Sequence, residues 1–239
     1  MFLNAAMSAA LDRITDRAAD VRRAFTPGAV PEHDDVLTPS AASDFALDPL
    51  VVSAPDHAYF ITTDDRGTTS YTRDGSFALR NGTLVDGSGR PVCGVRAAGD
   101  APAQLRVDPV DESLGRVREA HIERDGSFVY RRETIDPRTG TRESQRVVVG
   151  RLALARFPTG TRLGGDGDEM QAPPGVAPEI GLPGNERFAP LATMQRDRSR
   201  IDIDKSLIRL KDAYLAFDAL QAAETAKAHL GKTAMDLVK

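Results

Sequence analysis

The chain has 239 residues, of which 41% are hydrophobic and 28% charged, and its formal net charge is -4 at pH 7. These proportions are those of a soluble protein with one ordinary core or two small ones. The modest negative charge gives no reason to expect nucleic acid as a partner. No apolar stretch approaches the roughly 18 residues of a membrane-spanning helix, so no membrane insertion is expected. The single cysteine, Cys93, excludes an intramolecular disulfide and is predicted to pack as a small apolar residue.

The N-terminal segment carries an apolar stripe at helical spacing. Its members recur in steps of three and four residues with charged residues between them: they include Met7, Leu11, Ile14, Ala18, Val21 and Phe25. Thr26-Pro27-Gly28 ends the stripe, because the residue before a proline is driven out of the α region. Residues 1–28 are therefore predicted to hold a helix, and residues 29–57, rich in Pro, Asp and Ser, an extended connector.

Residues 58–190 are predicted to form a mainly β domain. Short β-branched and aromatic runs alternate with Arg-Gly, Asp-Gly, Asn-Gly and Ser-Gly pairs, which favour tight turns. The run Arg73-Asp74-Gly75-Ser76-Phe77 recurs as Arg124-Asp125-Gly126-Ser127-Phe128. We interpret the recurrence as two hairpins with the same turn chemistry, with a duplicated segment as the alternative. Gly and Pro dominate residues 158–190, which predicts a late loop or extended chain.

Residues 191–239 contain a second apolar stripe, and a helix is predicted from about Asp204 to Val238. The stripe includes Leu207, Leu210, Tyr214, Phe217, Leu220 and Leu230. Each stripe must be hidden from water, so an α+β fold is predicted in which the two terminal helices pair as a coiled-coil-like stem. Apolar surface left over on the Ala-rich second helix would be covered by other subunits, and an open head-to-tail contact of that kind produces a helical filament.

The centre of the chain resembles one family. Tyr71-Thr72-Arg73-Asp74-Gly75-Ser76-Phe77, followed by a hairpin that ends near Gly89-Arg90-Pro91-Val92, is similar to the central β signature of bacterial flagellar rod and hook proteins. The ends carry parts of the same resemblance in Thr26-Pro27-Gly28 and Ala213-Tyr214. Asp20 and Arg23 depart from it, since they occupy positions that are Asn-rich in that family.

The resemblance implies a structural axial subunit of the flagellar basal-body rod that polymerises through its terminal helices into the drive shaft. Its partners would be other copies of itself, related rod and hook subunits, and the flagellar export apparatus. The N-terminus lacks the basic segment of a secretory signal, and the resemblance implies export into the periplasm-spanning rod without a cleaved signal peptide. The length favours a rod subunit, with a short hook-type axial protein as the alternative. No catalytic residue, cofactor or metal is expected.

Two rival hypotheses rest on loops. Residues 164–169 and 86–89 offer oxygen ligands, as in a calcium- or ligand-binding β module, but neither has the spacing of an EF-hand. Asp64-Asp65, or a serine with His57 or His121, would suit a hydrolase. Adjacent acids in an Asp-Asp-Arg-Gly turn usually serve the turn, and no nucleophile elbow or phosphate-binding loop is present, so catalysis is not expected.

Overall fold

The protein has a mainly β centre and a helix near each end, which confirms the predicted α+β fold class. The computed structural model describes residues 2–26, 28–29, 43–55, 57–64, 66–97, 100–161, 163–165, 169–199 and 201–237, without the side chains of residues 2–4 and 231–237. The helices are α1 (Phe2–Arg23), α2 (Pro109–Ser113) and α3 (Ile203–Leu237). The chain divides into a helical unit, which contains α1 and α3, and a β unit, which contains α2 and the strands.

The two long helices of the helical unit contact each other and run antiparallel. Asp202 caps the start of α3, because its Oδ1 accepts the backbone N–H of Lys205 at 3.2 Å. Ser199, just before this cap, donates its hydroxyl to the carbonyl oxygen of Arg23 at 3.4 Å. The C-terminal end of α1 therefore lies beside the start of α3.

The helices differ in length, because α1 has 22 residues and α3 has 35. At 1.5 Å per residue the difference is about 20 Å. Since α3 starts beside the end of α1, its last turns extend past the other end of α1. All of residues 225–230 are exposed. We call residues 225–237 the α3 overhang.

The β unit contains fifteen short strands in its described part. In chain order they are β1 (Ser43–Phe45), β2 (Val52–Ser53), β3 (Ala58–Thr63), β4 (Thr69–Thr72), β5 (Ala78–Arg80), β6 (Thr83–Val85), β7 (Cys93–Val95), β8 (Ala103–Gln104), β9 (Val117–Ile122), β10 (Ser127–Ile135), β11 (Arg142–Leu152), β12 (Leu154–Arg156), β13 (Glu179–Gly181), β14 (Ala192–Thr193) and β15 (Gln195–Asp197).

All pairs of neighbouring strands are antiparallel. One sheet has five strands in the order β8-β7-β11-β10-β9, and a second has four in the order β13-β12-β3-β4. Three two-stranded pairs complete the unit: β1 with β15, β2 with β14, and β5 with β6. β1 and β2 lie within the predicted connector, so part of that segment belongs to the β unit.

Two buried clusters form the core of the β unit. The larger draws on both main sheets, and its largest members are Phe60, Leu84, Leu105, Phe128, Tyr130, Leu152, Leu154 and Phe188. The smaller contains Ile61, Tyr71 and Cys93. Successive side chains of a strand point to opposite faces, so β3 supplies Phe60 to one cluster and Ile61 to the other. Burial raises the pKa of the Cys93 thiol, although its hydrogen bond with the Thr63 hydroxyl opposes this rise.

A buried carboxylate fixes α2 to the five-stranded sheet. Asp111 of α2 is 3% exposed and accepts hydrogen bonds from the Tyr130 hydroxyl and the Arg132 Nε, both at 2.5 Å. Burial alone would raise the pKa of Asp111, but the hydrogen bonds from Tyr130 and Arg132 outweigh it and hold the pKa below its usual value. The folded protein therefore favours the charged form of Asp111.

Asp111→Asn is expected to lower the free energy of unfolding at pH 7 by about 1 kcal/mol, since a charged acceptor for two donors is lost and Arg132 is partly exposed. An aspartate whose pKa is lowered by folding stabilises the folded protein at pH values above its unfolded-state pKa of about 3.9. This stabilisation is lost as the pH falls through the folded-state pKa. The difference between wild type and variant should therefore shrink below about pH 4. Urea unfolding at pH 7 and pH 3 measures it, with Glu143→Gln on the same sheet as control. An equal difference at both pH values would contradict this assignment.

Candidate assembly surface and β signature

The β signature forms a buried junction centred on Arg73. This arginine is 5% exposed, and its Nε and Nη2 donate to Oδ2 of Asp197 at 3.0 and 2.5 Å. Its remaining N–H groups donate to backbone carbonyl oxygens, the closest being that of Ala58 at 2.8 Å. Ser53 of β2 donates its hydroxyl to the other oxygen of Asp197. The guanidinium and the carboxylate are thus both desolvated and hydrogen-bonded, which is the condition for a stable buried ion pair.

The rest of the signature shapes the turn after β4. Asp74 Oδ1 accepts the backbone N–H of Ser76 at 2.9 Å, and Phe77 packs edge-on against Phe60 with ring centres 5.0 Å apart. Position 75 has no room for a side chain, because a Cβ there would lie 1.8 Å from the carbonyl oxygen of Val52. Tyr71 packs edge-on against Phe157 at 4.9 Å.

The junction also holds the two chain segments that continue into the long helices. Gly28 follows α1 and donates its N–H to the carbonyl oxygen of Arg198 at 3.3 Å. Gly28 has φ of +68°, and a Cβ there would lie 2.6 Å from Cβ of Arg73. Asp197, on the segment that precedes α3, binds Arg73 directly. Arg73 therefore fixes the points at which the chain leaves the β unit on both sides.

The recurring segment, Arg124 to Phe128, forms the same kind of turn as the signature. Asp125 Oδ1 accepts the N–H of Ser127 at 3.0 Å, as Asp74 does for Ser76. Phe128 is buried like Phe77. The arginine and the glycine differ, because Arg124 is exposed and Gly126 has φ of +83° whereas the φ of Gly75 is not positive.

The less exposed residues of the long helices define an inner seam. On each helix they recur in steps of three and four, which places them on one face. The inner seam consists of those that keep this spacing: Met7, Ala10, Ile14, Arg17 and Val21 on α1 with Ala24 just after it, and Ile203, Ser206, Leu210, Ala213, Phe217, Leu220 and Glu224 on α3. Asp20 is also buried, at 1% exposed, but lies beside this face. Because α1 and α3 contact each other, we assign this seam to the contact between them.

The predicted assembly stripe divides between the inner seam and the surface. Met7, Ile14 and Val21 of α1, with Leu210, Phe217 and Leu220 of α3, belong to the seam, and Ala18 lies beside it half-buried. The other members are exposed: Leu11, Phe25, Leu207, Tyr214 and Leu230. The structure therefore places six of the twelve stripe residues in the seam and leaves five open to solvent, where their role in assembly stays a prediction.

A second apolar stripe on α3 was not singled out in the sequence. Ile208 and Leu215 are 61% and 57% exposed, and at 100° per residue they lie on the side opposite the inner seam. Ala219, Ala222 and Ala226 continue this side toward the overhang, and all three are exposed. We call these five residues the outer stripe. Its spacing of seven, four, three and four residues is the sequence signal that would have identified it.

The loops behind the rival hypotheses serve local structure where they are described. Asp64 Oδ1 accepts the N–H groups of Arg66 and Thr68, and these bonds lower the pKa of Asp64. Asp86 binds the N–H groups of Ser88 and Arg90 and the Arg90 side chain. Asp65 and residues 166–168 lie outside the described residues.

Two of the four histidines were candidates for catalysis. His57 has φ of +58° in the turn before β3. His121 lies in β9, where its Nδ1 is 2.9 Å from the carbonyl oxygen of Glu119. Among the described residues, no three His, Cys, Asp or Glu side chains are grouped so as to hold a metal ion. The described helices also include none with the length and apolar character needed to cross a membrane.

Along the chain, the β unit lies between the two long helices, which contact each other. Residues 56–130 match the family model of the flagellar hook protein FlgE/F/G D1 domain. The match begins just before β3, ends in β10 and includes the whole β signature. The match covers less than a third of the chain, and over these residues it supports the resemblance to flagellar axial proteins of the hook or rod type. No curated protein matches the chain significantly.

Proposed function

We propose that this protein is a structural subunit of the flagellar basal-body rod, which polymerises through its terminal helices into the drive shaft. The observation that carries the proposal is the outer stripe of α3 together with the overhang. Ile208 and Leu215 are 61% and 57% exposed in the single chain, so complete burial would stabilise each by roughly 1 to 2 kcal/mol. A neighbouring copy, or a related rod or hook subunit, covers them.

The small side chains of the outer stripe support helix-to-helix packing as the mode of contact. Ala219, Ala222 and Ala226 allow a neighbouring helix to approach closely, since interaxial distances fall toward 8 Å when the contact side chains are small. A contact between the outer stripe of one copy and a different face of the next is heterologous. Repeated contacts of that type produce a helical filament.

A rod position is favoured over a hook position by the content of the chain between its helices. The described residues from 43 to 198 form one β unit, whereas hook proteins usually carry additional β domains. A short hook-type axial protein is the second candidate, and the description of the matching domain as a hook protein domain favours it. In either case, the proposal includes export of the subunit through the flagellar export apparatus.

Deleting residues 204–239 is expected to abolish incorporation and swimming, because the deletion removes the outer stripe and half of the inner seam. The β unit should stay folded, since its core contains no residue of α3. Immunoblots of purified basal bodies, separated from hooks, measure incorporation, and motility agar measures swimming. The control is the full chain with the same tag. A deletion strain that swims normally, or a full-length protein absent from both fractions, would contradict the proposal.

A further inference from the structure

Two apolar side chains of the β unit stand in solvent, two residues apart on an extended segment. Phe45 is 72% exposed and Leu47 is 84% exposed, which are the highest values among the large apolar residues described in this unit. Single exposed apolar residues are common on protein surfaces, whereas a contiguous group of them marks an interaction site. Phe45 ends β1, and the next residue, Ala46, donates its backbone N–H to the carbonyl oxygen of Met194 at 2.9 Å. This bond holds the segment in place. We call Phe45 and Leu47 the apolar knob.

A different part of the β unit has an open pocket with an apolar lining. Its volume is 350 Å³, which is within the size range of pockets that bind small ligands. The pocket lies at the paired ends of β12 and β13, where Arg156 stands opposite Glu179. Phe157, Pro158 and Ala177 supply the apolar part of the lining. The pocket is therefore large enough for one or two apolar side chains.

The walls of this pocket are fixed by contacts within the β unit. The ring of Phe157 packs edge-on against the rings of Tyr59 and Tyr71, with centres 5.9 and 4.9 Å away. The guanidinium of Arg156 lies 4.6 Å from the centre of the Phe188 ring. A preformed pocket loses little conformational freedom when a side chain enters it, so more of the gain from apolar burial appears as affinity.

The knob and the pocket carry opposite charges that are not paired within the chain. Asp48 directly follows the knob, and its Oδ1 accepts the backbone N–H of Leu50 at 2.9 Å. Arg156 lines the pocket and donates to the carbonyl oxygen of Arg187 at 2.5 Å. Neither Asp48 nor Arg156 forms an ion pair with a described residue, whereas Glu179, the acid of the pocket, is paired with Arg187 at 2.6 Å. The charge that the pocket leaves unpaired is therefore positive, and that beside the knob is negative.

We propose that the apolar knob of one subunit enters this pocket on a second copy, and that Asp48 of the first pairs with Arg156 of the second. This inference rests on the proposed function, because it names a contact between the β units of neighbouring subunits. A second copy is the occupant because the chain itself carries a knob with the apolar character and the charge that the pocket fits. An aromatic anchor in a pocket is the usual centre of a protein contact. Knob and pocket are different surfaces of one molecule, so the contact is heterologous and repeats from copy to copy.

Disulfide trapping in purified hook–basal bodies tests the contact. The full chain carries Leu47→Cys together with Ala177→Cys, and the natural Cys93 is 2% exposed, so it should not react. We expect mild oxidation to produce a ladder of cross-linked subunits that dithiothreitol removes. Each single variant should give no ladder. Leu114→Cys together with Ala177→Cys is the matched control and should also give none, since Leu114 is an exposed apolar residue of α2 outside the knob.

Charge reversal tests the ion pair. Asp48→Lys and Arg156→Glu should each reduce the amount of subunit in hook–basal bodies at least threefold. The double variant exchanges the two charges and should restore incorporation, because every contact between copies then has an opposite pair again. Arg124→Glu, at an exposed arginine outside the pocket, is the matched control and should leave incorporation unchanged. Circular dichroism of the free variants measures their fold.

Two results would overturn the knob-and-pocket contact and leave the proposed function standing. One is a cysteine pair that incorporates but gives no ladder, and the other is a folded double charge variant that incorporates no better than the single variants. Absence of the wild-type subunit from hook–basal bodies would overturn both proposals. If Arg156→Glu unfolds the free protein, the trapping experiment decides alone, since it leaves Arg156 in place.

Discussion

Replacing Ile208 and Leu215 with aspartate is expected to block incorporation of the subunit while leaving the free protein folded. Both side chains are more than half exposed in the single chain, so a charge there has little effect on folding. In an assembled filament the same charges would lie in an apolar contact, where an unpaired carboxylate must be desolvated at a cost of several kcal/mol. Basal-body immunoblots and motility assays measure the loss, and circular dichroism confirms the fold.

A comparison with the inner seam makes this prediction specific. Leu210→Asp and Phe217→Asp place a charge between α1 and α3, so they should reduce helical content in the free protein as well as incorporation. Gln221→Asp, at an exposed polar position of α3, should change neither property. If the Ile208 and Leu215 variant assembles normally, the outer stripe is not the contact between subunits. If it unfolds the helical unit, the assignment of the two faces is wrong.

Arg73→Ala and Asp197→Ala are each expected to destabilise the β unit by about 3 to 5 kcal/mol, because each leaves one buried charge without its partner. Such a loss is a large part of the stability of an ordinary domain. Urea unfolding monitored by circular dichroism measures it. Swimming should fail in both strains, since Arg73 fixes the segments that lead to α1 and α3.

Two controls separate the ion pair from a general effect of losing an arginine. Arg187→Ala removes an exposed pair with Glu179 and should cost less than about 1 kcal/mol. The double variant Arg73→Met and Asp197→Leu removes both buried charges, so its loss should be smaller than the sum of the two alanine variants. Additive losses would show that the two side chains contribute independently, contrary to the geometry.

Local chemistry explains what could be predicted from the sequence. The fold class followed from two stripes of helical period on either side of runs punctuated by turn pairs. The role of Asp74 followed from the Asp-Gly turn, and that of Phe77 from its place after the turn. Each of these features depends on residues a few positions apart, where propensity and periodicity carry the information.

The partner of Arg73 could not be predicted in the same way. Asp197 lies 124 residues from Arg73, and it stands in a run of alternating charges between Arg196 and Arg198. Such runs usually form solvated surfaces. Only the pairing of β1 with β15 and of β2 with β14 brings Asp197 to the signature, and strands of two or three residues leave almost no periodic signal.

The predicted assembly stripe shows a second limit of prediction from sequence. The seam contains Ala10 of α1 and Ala24 just after α1, whereas the prediction singled out the neighbouring Leu11 and Phe25. Both choices keep steps of three and four residues, and larger side chains attract a prediction based on hydrophobicity. Two helices that pack closely favour small residues instead. The exposed Leu11 and Phe25 remain candidates for contact with other subunits.

The position of Asp197 has a consequence for how the molecule matures. During synthesis the ribosome releases Arg73 long before the aspartate that neutralises it, and α1 emerges long before the helix that covers its seam. Neither contact can form until the segment from Asp197 onward has been synthesised. A nascent chain held in this state lacks both the Arg73–Asp197 ion pair and the contact between α1 and α3.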